Sequence, residues 1–168
     1  MKLIVIAAIV VWSTAQTRAD SGPAKPLRAT VPCTVTHIGD GDTITCREIG
    51  RVRLIGIDAP ELDQRPYGAD ALKALEQLIP VGAHIQIERD VEPRDQYDRT
   101  LGYAWANGKL VNWLMIRYGW VVLYTVPPNV QYATLFTQAE RSARTEHAGV
   151  WRASGLACRP SDHRKKKC

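Results

Sequence analysis

No apolar run in this 168-residue chain reaches the roughly 20 residues that a membrane-spanning helix needs. No two cysteines have CxxC spacing, which argues against a structural zinc site. The four histidines fall at no spacing that suits a metal, and no segment repeats another. Nothing in the composition is extreme. With 45% hydrophobic and 23% charged residues, collagen-like, mucin-like and wholly disordered readings are excluded. The length leaves little room for a second full domain.

The longest apolar stretch, Leu3 to Trp12, follows Met1-Lys2 and ends in the small-residue run Ser13-Thr14-Ala15-Gln16-Thr17-Arg18-Ala19. This pattern is that of a secretory signal peptide over residues 1–19, cleaved after Ala15 or Ala19. It implies a secreted or periplasmic protein with no membrane span once the signal is removed. Residues 20–30 read as a flexible lead-in, 31–155 as one domain and 156–168 as a basic, Cys-containing tail.

The formal net charge of +5 is unevenly placed. Residues 20–158 hold fifteen basic and sixteen acidic residues, whereas residues 159–168 hold five basic residues against one acidic. The net charge therefore says nothing about the domain itself. The tail reads as a solvated charge run that can also help to hold a polyanion.

Cys33, Cys46, Cys158 and Cys168 in an exported chain point to disulfides, with three pairings open. Cys33 and Cys46 flank an expected hairpin, which favours Cys33–Cys46 and leaves Cys158–Cys168 to pin the tail.

Three strands are expected as a meander: Cys33 to Ile38, Thr43 to Arg47, and Arg51 to Ile57. A helix follows, marked by Leu72, Leu75, Leu78 and Ile79 and stopped by Pro80. Strands with Ile85 and Ile87, then Leu101, Tyr103 and Trp105, come next. Two more helices carry Val111, Leu114, Met115 and Tyr118, then Tyr132, Leu135, Phe136, Ala139 and Ala143. Trp151 is expected to cap the core. Five short strands and three helices in this order fit a small closed β-barrel of the oligonucleotide/oligosaccharide-binding type, an OB-fold.

Asp40 and Asp42 lie at the first hairpin turn, and Asp58 and Glu61 lie where the third strand ends. In a meander these places share one end of the sheet, so Asp42 and Asp58 can converge. Two like charges brought together in a fold are resolved by a cation. Carboxylates and a backbone carbonyl are hard ligands that select Ca²⁺ or Mg²⁺. Asp40-Gly41-Asp42 is equally compatible with turn chemistry alone. Arg53 shares a strand face with Ile55 and Ile57, so it needs a partner. Arg99 opens the fifth strand. Either arginine suits a phosphate through its planar fork, or a structural ion pair.

Asp40-Gly41-Asp42-Thr43, Arg53-Leu54-Ile55-Gly56-Ile57-Asp58-Ala59-Pro60-Glu61 and Asp95-Gln96-Tyr97-Asp98-Arg99, in that order, resemble the staphylococcal nuclease (thermonuclease) family. Asn112, Gly119, Pro127-Pro128-Asn129 and Gly149-Val150-Trp151 extend the resemblance over residues 31 to 151. It implies Ca²⁺-dependent hydrolysis of DNA and RNA, leaving 3′-phosphates. It also implies that Asp42, Asp58 and the Ala59 carbonyl hold calcium, and that Glu61 orients or deprotonates the attacking water. Arg53 and Arg99 would clamp phosphate, with Asp40 and Thr43 as support. Tyr97 and Tyr124 would flank a nucleotide, although core packing is the other reading for both. The sequence departs from the family at Asp98, commonly Gly, whose charge adjoins Arg99, and at Gln96. Asp98 would compete with phosphate at Arg99, whereas Gln96 and the short segment between Glu61 and the first helix, with Arg65 as its one base, would weaken the pull on a polyanion.

The chain is expected to act as a monomer on DNA and RNA. The alternative is a non-catalytic OB-fold module that binds single-stranded nucleic acid. The complete acid–arginine set favours the enzyme.

Overall fold

The computed structural model describes residues 22–153 and 155–168. The expected signal peptide lies outside them. The first three strands, β1 (Thr30–Ile38), β2 (Thr43–Cys46) and β3 (Gly50–Leu54), form the antiparallel meander. β4 (Gly56–Asp58) and α1 (Tyr67–Leu78) follow, then β5 (His84–Glu88), β6 (Thr100–Ala106) and β7 (Lys109–Leu110). The remaining elements are α2 (Val111–Arg117), β8 (Val122–Tyr124), α3 (Ala133–Thr145), a 3₁₀ turn over Gly149–Trp151 and α4 (Pro160–Arg164).

Hydrogen bonding runs in the order β3-β2-β1-β5-β6, and a parallel pairing of β3 with β6 closes the barrel. Closure leaves none of the five strands as a free edge. Alternation along the strands sends Val35, Ile44, Val52, Leu54, Ile85 and Ile87 into the core. Leu75 of α1, Met115 and Ile116 of α2, and Phe136 of α3 cover it. The expected five-stranded barrel with three long helices is the architecture found.

The third strand is not continuous to Ile57. It stops at Leu54, and Gly56 takes φ +82°. A side chain there would strike the Phe136 ring, with a Cβ only about 2.5 Å from it. Only glycine suits both conditions. The chain bends at this point into β4, which pairs with β8 in a separate two-stranded sheet. Trp151 does not cap the main core. It packs beside Tyr67, Val122 and Val150, with the Arg144 guanidinium 3.7 Å over its ring.

Cys33–Cys46 and Cys158–Cys168 are both bonded. The first ties β1 to β2 inside the core, where both cysteines are buried. The lead-in is pinned rather than loose at its end, because the Leu27 and Arg28 N–H groups donate to Glu88 Oε1 at 2.9 and 2.8 Å.

Candidate active site

The turn between β1 and β2 is built by aspartate. Asp40 Oδ1 accepts the Asp42 N–H at 2.9 Å, an Asx turn that fixes the backbone ahead of β2. Register then does the rest. Thr43 pairs with Arg53 across β2 and β3, so Asp42 emerges beside the Arg53 side chain. Asp42 Oδ2 accepts the Ala59 N–H at 2.7 Å, and Oδ1 accepts the Thr43 hydroxyl at 3.1 Å. The end of β4 is thereby stitched to the first hairpin, and Asp58 is brought in with it.

Arg53 Nη2 lies 3.0 Å from Asp42 Oδ2 and 3.3 Å from Asp58 Oδ1. The two aspartates thus converge, as the meander argument requires. Val52 and Leu54 are fully buried, whereas Arg53 points to the other face and keeps its side chain 13% exposed. Two carboxylates supply the partner that a cation at this depth needs.

Burial dominates the electrostatics. Loss of water pushes the Asp42 carboxyl up to about 7, with Arg53 opposing and Asp40 and Asp58 adding to the rise. Asp58 is raised for the same first reason, against the pull of Arg164 and Arg53. Asp58 Oδ2 is buried and has no hydrogen-bond partner among the described residues. Such an orphaned carboxylate oxygen, next to a second buried carboxylate, is an acceptor that a further donor or a cation would satisfy.

Above these groups lies a cleft of about 860 Å³. Its walls include Asp42, Arg53, Ala59, Glu61, Arg99, Tyr97 and Tyr124. The tyrosines are not core residues, being 70% and 40% exposed. Tyr97 lies under the Arg99 guanidinium, 5.5 Å from ring centre to Cζ. Arg99 Nε donates to Asp95 Oδ2 at 2.7 Å, and the Arg99 and Tyr97 N–H groups donate to Asp95 Oδ1. These bonds outweigh burial and hold the Asp95 carboxyl below its usual range. Asp98 does not crowd Arg99 with its carboxylate, which pairs with Arg94 at 2.7 Å. Its φ of +58° explains why a glycine also suits that position.

Residues 51–153 match the family model described as staphylococcal nuclease homologue. The chain belongs to the staphylococcal nuclease family. It is 34% identical over 125 residues to a protein named Thermonuclease from Staphylococcus intermedius, covering 70% of this chain and 74% of that one. Identity to Endonuclease YncB of Bacillus subtilis (strain 168) is 30% over 154 residues, 86% of this chain and 72% of the relative. A Thermonuclease from Staphylococcus hyicus is 29% identical over 161 residues, 89% and 94% of the two chains.

Two residues escaped sequence reasoning, one structural and one at the site. Glu88 ends β5 and is fully buried. Its carboxylate accepts from Leu27, Arg28, Gln131, Trp105 and Tyr132. Arg164 of α4 donates from Nη1 to Glu61 Oε1 at 2.6 Å and from Nη2 to Asp58 Oδ1 at 2.8 Å. Burial alone would lower its pKa, but these bonds to Glu61 and Asp58 raise it above the ordinary arginine value. The tail is therefore a docked segment rather than a solvated run. The Cys158–Cys168 pairing was the available signal that it is held in place.

Proposed function

We propose that this chain is an exported calcium-dependent nuclease that hydrolyses phosphodiester bonds of DNA and RNA and leaves 3′-phosphates. The observation that carries this reading is the meeting of Asp42, Asp58 and Arg53 under a cleft that also holds Glu61 and Arg99. The family relatives named Thermonuclease and Endonuclease support it. Export rests on the N-terminal pattern and on the use of all four cysteines in disulfides.

Asp42, Asp58 and the Ala59 carbonyl would hold the calcium ion. The orphaned Asp58 Oδ2 and the hard oxygen donors fit such an ion. No group of three or more His, Cys, Asp or Glu is placed to hold a metal ion together among the described residues. Two carboxylates and a carbonyl would make a weak site, suited to extracellular calcium. When bound, calcium supplies Lewis-acid polarisation of a phosphoryl oxygen.

The chain's own residues divide the remaining work. Asp40 and Thr43 fix the Asp42 backbone and carboxylate. Arg53 and Arg99 bind non-bridging phosphate oxygens with their planar forks and meet the charge that builds there in the transition state. Glu61 orients the attacking water and takes its proton on a carboxylate oxygen. Tyr97 and Tyr124, exposed at the rim, stack against a nucleobase or sugar. Together these effects address a barrier that an enzyme must lower by up to about 20 kcal/mol.

A digestion series on single-stranded DNA and RNA with Ca²⁺, Mg²⁺ or chelator, with product end groups identified, tests this reading. Cleavage with Ca²⁺ that stops in chelator and leaves 3′-phosphates is expected. No cleavage in Ca²⁺ at alkaline pH overturns it.

A further inference from the structure

Arg164 belongs to a loop that is closed by Cys158–Cys168 and contains α4. Three contacts fasten this loop to the segment that carries Asp58 and Glu61. Gln64 Nε2 donates to the Cys158 carbonyl at 2.9 Å. His163 Nε2 lies 3.0 Å from Asp63 Oδ1. Arg164 bridges Glu61 and Asp58. As a result Ser161, Arg164 and Lys165 form part of the cleft wall.

The charge of the chain gives this placement a consequence. Residues 20–158 carry one more acidic than basic residue, so the folded domain offers a polyanion no net attraction. The surplus of positive charge sits in residues 159–168, and the fold places two of its cations, Arg164 and Lys165, in the cleft wall. Lys165, Lys166 and Lys167 are all exposed. The Arg164 side chain remains 42% exposed, and a guanidinium fork that fits carboxylates fits a phosphate equally well.

We propose that the disulfide-closed loop 158–168 is a substrate-binding arm, in which Arg164 and Lys165 hold a phosphate of single-stranded nucleic acid flanking the one that is cut. This rests on the nuclease reading of the same site. The ion pairs to Asp58 and Glu61 are the resting position of Arg164. Cation binding at Asp58 and arrival of the polyanion both favour its transfer to phosphate. The disulfide keeps the arm within reach of the cleft, lowering the entropic cost of its engagement.

The test measures binding of a fluorescently labelled, cleavage-resistant phosphorothioate oligodeoxynucleotide by anisotropy, in Ca²⁺, across a salt series. Wild type is compared with R164Q/K165Q and with the charge-keeping R164K/K165R. The arm predicts that R164Q/K165Q binds about tenfold more weakly and that its slope of log affinity against log salt is shallower by about 0.7, one single-strand phosphate contact. R164K/K165R should restore most of the affinity. Equal affinity and slope in wild type and R164Q/K165Q overturn the arm. So does a double variant that digests ordinary single-stranded DNA faster and at lower Ca²⁺, because Arg164 is then a latch on Asp58 and Glu61. Wild-type digestion of ordinary DNA in parallel separates the two readings. If wild type does not cut, the nuclease reading fails, while the anisotropy comparison still decides whether the loop binds nucleic acid.

Discussion

Arg53 Nη2 lies 3.0 Å from Asp42 Oδ2, a contact set by the pairing of Thr43 with Arg53 across neighbouring strands. On the proposed reading, the side chain that binds phosphate is thus held on the carboxylates that would bind the cation. Removing it has two effects that can be measured apart. R53Q should lower kcat by about 10²–10³, the usual cost of one lost transition-state donor. It should also destabilise the calcium-free protein by about 3 kcal/mol, since buried Asp42 loses its arginine and Asp58 is left with Arg164 alone. Denaturant melts of R53Q with and without D42N check the second effect. Full stability in R53Q would contradict the pairing.

Asp42 makes calcium-free stability depend on pH. Its carboxyl titrates near 3.8 when unfolded and is pushed up to about 7 in the fold. Between these values the folded state binds the extra proton. Stability is therefore greatest below about pH 4 for this group and falls as pH rises toward 7. D42N should flatten that part of the profile. A wild-type profile that rises with pH over this window, unchanged in D42N, would contradict the buried state of Asp42.

The Cys33–Cys46 bond closes a loop over a sequence separation of 13. In the chain-entropy model a loop of this size contributes about 3 kcal/mol. C33A/C46A should lose that much or slightly more, since both side chains are buried in the core. Equilibrium unfolding in urea provides the comparison. A loss under about 0.5 kcal/mol would remove the bond's assigned part in stability.

Glu88 joins the lead-in to α3 through one carboxylate. E88A removes an acceptor from five donors, of which the Leu27 N–H keeps a second, the Tyr132 hydroxyl at 3.3 Å, and should cost about 3–5 kcal/mol. Amide exchange should show Leu27 and Arg28 opening first. Protection at both positions in E88A would show that the carboxylate is not what holds them.

The first hairpin was legible because an Asp-Gly-Asp turn, a meander and antiparallel pairing leave little choice about which ends meet. The barrel followed from strand count and helix positions. The break at Gly56 was not legible, since a glycine in an apolar run looks like continued strand until a ring is found against it. Glu88 hid because it falls on the polar phase of an alternating strand yet is fully buried, which only its partners from distant segments explain. The docking of Arg164 was illegible for a different reason. A short basic run has the same composition whether solvated or packed, and its contacts to Asp58 and Glu61 span more than a hundred positions. Conversely, Asp98 seemed placed to compete at Arg99, but its left-handed backbone turns the carboxylate to Arg94 and leaves Asp95 as the true neighbour.

Turnover of single-stranded DNA by wild type and by Asp58→Asn, side by side in saturating calcium, bears most directly on the central claim. The account predicts rapid, chelator-sensitive cleavage by wild type and a loss of at least about 10²-fold in the variant, as the buried oxygen that completes the cation site is replaced. Equal turnover in the two proteins, or cleavage that persists in chelator, would contradict it.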